Sequence, residues 1–111
     1  MEHETITTTS IDPIVLYTIA RLTTLGTSGV SSLAPISFGV NKSAKENHGV
    51  KIEINQDKLF IDLYNITKLK ENVRLVADTV QKNVKRAMRD MVEMHVEEVN
   101  VHIADVELEV K

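Results

Sequence analysis

The sequence predicts an α+β domain, a two-layer sandwich with elements in the order β-α-β-β-α-β, a mainly antiparallel sheet and two helices on one face of that sheet. Three observations lead there. Apolar residues recur at Val73, Val76, Ala77, Val80, Val84, Ala87, Met88 and Met91, a single helical stripe. Directly after it the period changes to two at Val99, Val101 and Ile103, the pattern of a half-buried strand. Two more alternating runs, Val50–Ile54 and Leu59–Tyr64, flank a polar turn and predict a hairpin.

The N-terminal segment, with three consecutive threonines after Ile6, favours an extended arm or edge strand over residues 1–10. Asp12-Pro13 is a helix start, because Asp12 can accept from free amide groups and Pro13 has no N–H to leave unpaired. Val15, Leu16, Ile19, Ala20 and Leu22 supply an apolar face, and Gly26 offers a stop, so the first helix spans about residues 13–25. Val30–Leu33 is a short strand, and Asn41–Gly49 reads as a polar loop.

In the hairpin, Lys51 and Glu53 alternate with the apolar residues of the first strand, and Asn55–Lys58 makes the turn. Phe60, Asp62 and Tyr64 share the second face of the following strand. Asn72 caps the long helix, which ends near Met94-His95 without a glycine. His95 is expected there, its protonated ring favoured by the terminal carbonyls. The last strand starts near Glu98. Its apolar set moves from odd to even positions between Ile103 and Val106, so either a bulge falls at Ala104-Asp105 or the tail leaves to pair elsewhere, as with another subunit. The domain then covers residues 11–106, with an acidic tail over 107–111.

At 111 residues the chain is long enough for one core without staples, and with no cysteine it has neither disulfides nor thiolate metal sites. Its apolar runs fall short of the roughly 20 residues of a membrane span, and Met1–Glu4 lacks the basic start of a signal peptide, which predicts a cytoplasmic protein. The net charge of −3 argues against general nucleic-acid binding, but the charge is uneven. Between Lys70 and Glu93 six basic residues face four acidic ones, while Glu97–Lys111 holds five acidic residues and one basic. That asymmetry suits self-association as well as an anionic partner.

Two groups stand out as contact surfaces. Lys82, Lys85, Arg86 and Arg89 share a helix face opposite the apolar stripe and form a basic ridge, whose bland reading is a solvated face balanced by Asp78 and Asp90. Asn100 and His102 share the polar face of the last strand, where a subunit or partner contact competes with plain solvent exposure. His3, His48, His95 and His102 have no metal-ligand spacing, so no metal is expected. No phosphate-cradling loop and no nucleophile motif occurs, so neither a catalytic residue nor a cofactor is expected and the chain does not read as an enzyme. A small nucleic-acid-binding domain using the ridge is the alternative; Phe60 and Tyr64 are its only strand aromatics, and Gly26-Thr27-Ser28-Gly29 matches a Gly-x-x-Gly loop without basic neighbours.

Val80-Gln81-Lys82-Asn83-Val84-Lys85, followed by Glu98-Val99-Asn100-Val101-His102-Ile103, resembles the alkaline shock protein, or envelope stress response, family of mainly Gram-positive bacteria. Ile11-Asp12-Pro13, Gly29-Val30 and Gly49-Val50-Lys51-Ile52 fit the same pattern in the same order. The resemblance implies a non-enzymatic cytoplasmic protein of cell-envelope homeostasis that self-assembles or meets a small membrane-anchored protein partner. The chain departs from the pattern in its N-terminal arm, at Thr27-Ser28, where a charged residue is expected, and in the acidic tail.

Overall fold

The computed structural model describes residues 9–35 and 48–108. Its elements are α1 (Pro13–Leu25), β1 (Val30–Leu33), β2 (Val50–Asn55), β3 (Lys58–Lys68), α2 (Val73–Val92) and β4 (His95–Glu107). The strand expected around Ile6 lies outside the described residues.

β3 is the strand to which the others attach. β2 pairs antiparallel with its first half, from Asn55↔Lys58 to Val50↔Leu63, and β1 pairs antiparallel with its second half, from Leu33↔Asn65 to Val30↔Thr67. The two therefore lie end to end along one edge of β3. Tyr64 marks the junction: its N–H donates to the Gly49 carbonyl at 2.9 Å, and its carbonyl accepts from the Ala34 N–H at 2.8 Å. The fit there is tight enough to require glycine, since Gly49 has φ +81° and an added Cβ would sit 2.3 Å from the Ala34 carbonyl oxygen.

β4 takes the other edge of β3 along its whole length, and this pairing is parallel. The sheet is thus antiparallel in two pairings and parallel in its longest, because α2 carries the chain back across the sheet before β4 begins. β4 starts at His95, three residues before the expected Glu98. It contains two bulges. Glu97 is the extra residue between Leu59↔Val96 and Phe60↔Glu98, and Ala104 between Asn65↔Ile103 and Ile66↔Asp105. The second accounts for the change of phase in the sequence: the inserted Ala104 keeps Val106 on the same face as Ile103.

Both helices pack on one face of the sheet. Leu59, Ile61 and Leu63 of β3 form one core with Leu16, Ile19 and Ala20 of α1, Val76, Val80, Val84 and Met88 of α2, and Val96 and Val99 of β4. Burying such side chains contributes roughly 1.5–3 kcal/mol each, which makes this face the main source of stability. Beyond Leu63 the inner face turns polar: Asn65 and Thr67 are fully buried, as is Thr24 of α1, and the side-chain polar atoms of all three lack hydrogen-bond partners.

Two parts of the expected helix faces are not core. Val15 and Leu22 of α1 are exposed, and so are Val73 and Met91 of α2. Ile14, Val15, Leu22 and Met91 instead line a shallow apolar groove between the helices. α1 begins as expected, with the Asp12 carboxylate accepting from the Ile14 N–H at 3.0 Å. Asn72 caps α2 by accepting from the N–H groups of Arg74 and Leu75, both at 3.1 Å. α2 ends without glycine because Glu93 itself adopts the left-handed conformation (φ 56°, ψ 35°), while Met94 N–H donates back to the Met88 carbonyl. His95 is consequently a strand residue and not a helix-end residue; its Nε2 lies 2.9 Å from Glu97 Oε2.

Candidate functional site

Alternation along β3 puts Phe60, Asp62, Tyr64 and Ile66 on the sheet face away from the helices, where all four are half-buried. Among the described residues no second layer covers them. The register places Asn100 beside Asp62 and His102 beside Tyr64 on this open face. Asp62 Oδ1 accepts from Asn100 Nδ2 at 3.2 Å and lies 3.1 Å from His102 Nε2. Asn100 Nδ2 also donates to Glu98 Oε1 at 3.0 Å, and the His102 ring stacks on Tyr64 with centroids 4.4 Å apart. Lys51 of β2 stands opposite Asp62 on the other side of β3. The result is a connected polar and aromatic platform across β3 and β4, with Lys51 of β2 at the neighbouring register position.

Sequence reasoning picked out Asn100 and His102 and missed Asp62 and Tyr64 as their partners. Only the alternation of β3, which groups Asp62 with Tyr64, hinted at them. The parallel pairing that joins them to β4 leaves no local trace. The platform is also acidic toward its edge, because β4 contributes Glu98, Asp105 and Glu107 to this face and no lysine or arginine.

Lys82, Lys85, Arg86 and Arg89 are all exposed on the outer side of α2, opposite the buried stripe of Val76, Val80, Val84 and Met88. They do not meet Asn100 and His102, since the helix layer and the sheet separate the two groups. Arg89 Nε is held 3.1 Å from Asp90 Oδ1, an exposed pair worth at most about 1 kcal/mol. At its C-terminal end the ridge runs into an open cleft of about 450 Å³ lined by Lys85, Arg89, Glu93, Met94, His95 and Val96.

The residues that carry the family-like pattern mostly hold the fold. Val80 and Val84 are core, Gln81 Nε2 donates to the Val99 carbonyl at 3.2 Å, and Asn83 Nδ2 donates to Thr27 Oγ1 at 3.1 Å. Thr27 is buried and donates in turn to the Thr23 carbonyl, so a charged residue there would lose both contacts. The Gly-x-x-Gly of residues 26–29 is the α1–β1 turn: Gly26 caps the helix, and a Cβ on Gly29 would lie 2.6 Å from Val76 Cγ2. Among the described residues, no group of three or more His, Asp or Glu side chains is placed to hold a metal ion, and no helix is long and apolar enough to cross a membrane.

These features define a two-layer α+β module with helices on one sheet face and, among the described residues, an organised platform with no second layer on the other. The chain belongs to the alkaline shock protein 23 family, described as having a cell envelope-related function, whose profile matches residues 1–108. It is 28% identical to YqhY of Bacillus subtilis (strain 168) over 117 aligned positions, covering all of this chain and 87% of that protein. It is 32% identical to Spy1535 of Streptococcus pyogenes serotype M6 over 96 positions, covering 84% of this chain and 74% of that protein. Among solved structures the fold is shared with the MamM CTD. A zinc form superposes with a TM-score of 0.60 at 11% identity, over 88% of this chain and 87% of that one. A copper form gives 0.59 at 10% identity, over 89% and 100%. At that identity the likeness is one of fold alone.

Proposed function

We propose that this protein is a non-enzymatic, cytoplasmic protein-interaction module of cell-envelope homeostasis, acting by self-assembly or by holding a small membrane-anchored protein. The observation that carries this reading is the sheet face that no described residue covers. Half-buried Phe60, Tyr64 and Ile66 lie there among side chains already fixed to one another by hydrogen bonds. A preordered surface loses little conformational entropy when a partner covers it. Its carboxylates and the basic ridge lie on opposite sides of the molecule, so each is available to a different neighbour. Family membership supports the envelope connection.

The same ridge would serve a nucleic-acid-binding domain, but the platform on the opposite face adds no nucleic-acid surface to it. The Tyr64 ring is stacked on His102, and Asp62 and Glu98 stand beside it, where a phosphate backbone would be repelled.

Sedimentation at rising protein concentration, in low and high salt, tests the proposal alongside in-cell photo-crosslinking from position 102. Wild type is expected to form salt-sensitive larger species or to crosslink to an envelope protein. The Lys82→Glu, Arg86→Glu double variant is expected to lose that behaviour with its melting curve unchanged. A wild-type chain that stays monomeric throughout and crosslinks to nothing overturns the reading.

A further inference from the structure

We infer that the cleft at the C-terminal end of α2 receives the segment Glu107–Val110 of a second copy of this chain, joining copies head to tail. This rests on the reading of the basic ridge as a contact surface and names what meets one end of it. The cleft combines an apolar floor, Met94 and Val96, with basic groups on its rim, Lys85, Arg89 and His95. The segment has the complementary chemistry: Glu107 and Glu109 alternate with Leu108 and Val110. Leu108 is 65% exposed where β4 ends, and the Glu107 carbonyl is held in the sheet by the Leu69 N–H at 3.0 Å, which fixes the point where the segment begins.

The segment cannot occupy the cleft of its own chain. β4 has 13 residues, so at about 3.3 Å per residue its two ends lie roughly 40 Å apart. Four extended residues cover at most about 14 Å. The occupant is therefore another copy, and because cleft and segment are different surfaces the contact is heterologous and runs from copy to copy into a ring or an open filament. Arg89 and His95 have carboxylate neighbours within the chain, Asp90 and Glu97, and Glu93 also lines the cleft. An incoming glutamate must outcompete these, so the contact is salt-sensitive and the apolar pair supplies its floor.

Two variants test this by sedimentation: a cleft variant, Lys85→Glu with Arg89→Glu, and a segment variant, Glu107→Lys with Glu109→Lys. Each alone is expected to be monomeric and folded, the cleft variant with a wild-type melting temperature and the segment variant slightly lower, because position 107 pairs with Lys68. Mixed in equal amounts they are expected to assemble again, because the native segment of the cleft variant meets the native cleft of the segment variant, and the reversed segment meets the reversed cleft. Combining all four charge reversals in one chain is expected to restore larger assemblies. If wild type assembles and both variants assemble equally well, the cleft assignment is wrong while the broader interaction reading stands. If wild type is monomeric at every concentration, the inference fails, and crosslinking to an envelope protein then decides the broader reading separately.

Discussion

Asp62 and His102 are 40 residues apart in the chain and 3.1 Å apart in space, joined across the parallel pairing of β3 with β4. Asp62 also holds Asn100, so one carboxylate orders both polar residues of the family-like strand motif. The His102 side chain is 46% exposed and that of Asp62 27% exposed, so water can replace either partner at little cost. Asp62→Ala is therefore expected to lower stability by less than about 1 kcal/mol in urea denaturation while weakening assembly or partner capture. A loss above about 2 kcal/mol would make the network a fold device and not a prepared surface.

Gly49 is constrained where β1 and β2 meet. Its φ is +81°, and a methyl carbon placed on it would stand 2.3 Å from the Ala34 carbonyl oxygen, so Gly49→Ala strains the backbone and forces the two strands apart. It is expected to cost about 2–3 kcal/mol. Gly26→Ala is the control: its φ is −80° and its nearest contact is 3.3 Å, so a change under about 1 kcal/mol is expected. Thermal melts of the two variants side by side provide the measurement.

The β2–β3 hairpin closes through Gln56 and Asp57, both with positive φ (50° and 65°). Two-residue hairpin turns of that geometry prefer Asn-Gly, which adopts it with little strain. Gln56→Asn with Asp57→Gly is expected to add about 1 kcal/mol of stability, read as a higher urea midpoint. An unchanged or lower midpoint would mean that the native pair is not strained.

Gln81 and Asn83 tie α2 to β4 and to the α1–β1 turn, respectively. Replacing either with Ala removes one partly buried hydrogen bond and is expected to cost about 1 kcal/mol. Lys82→Ala, on the exposed side between them, is expected to change stability by less than about 0.5 kcal/mol. Chemical denaturation of the three single variants checks that the motif divides into fold-holding and surface positions.

The sequence by itself determined most of the elements and most of the core, though not that Val15, Leu22, Val73 and Met91 stay exposed. The 3.6-residue stripe of α2, the period-two runs of β2, β3 and β4, and the caps at Asp12 and Asn72 are local patterns, and local backbone geometry follows from them. Even the bulge at Ala104 was legible, because a change of phase in an alternating strand has few physical solutions. What the tertiary structure alone decided is which strands are neighbours. Hydrogen bonds between strands are made by backbone groups that every residue carries, so residue identity did not reveal that β1 and β2 share one edge of β3 or that β4 runs parallel on the other. That arrangement separates the basic ridge from Asn100 and His102, and it brings Asp62 and Tyr64 into the platform. It also sets both ends of β4 too far apart for one chain to join them.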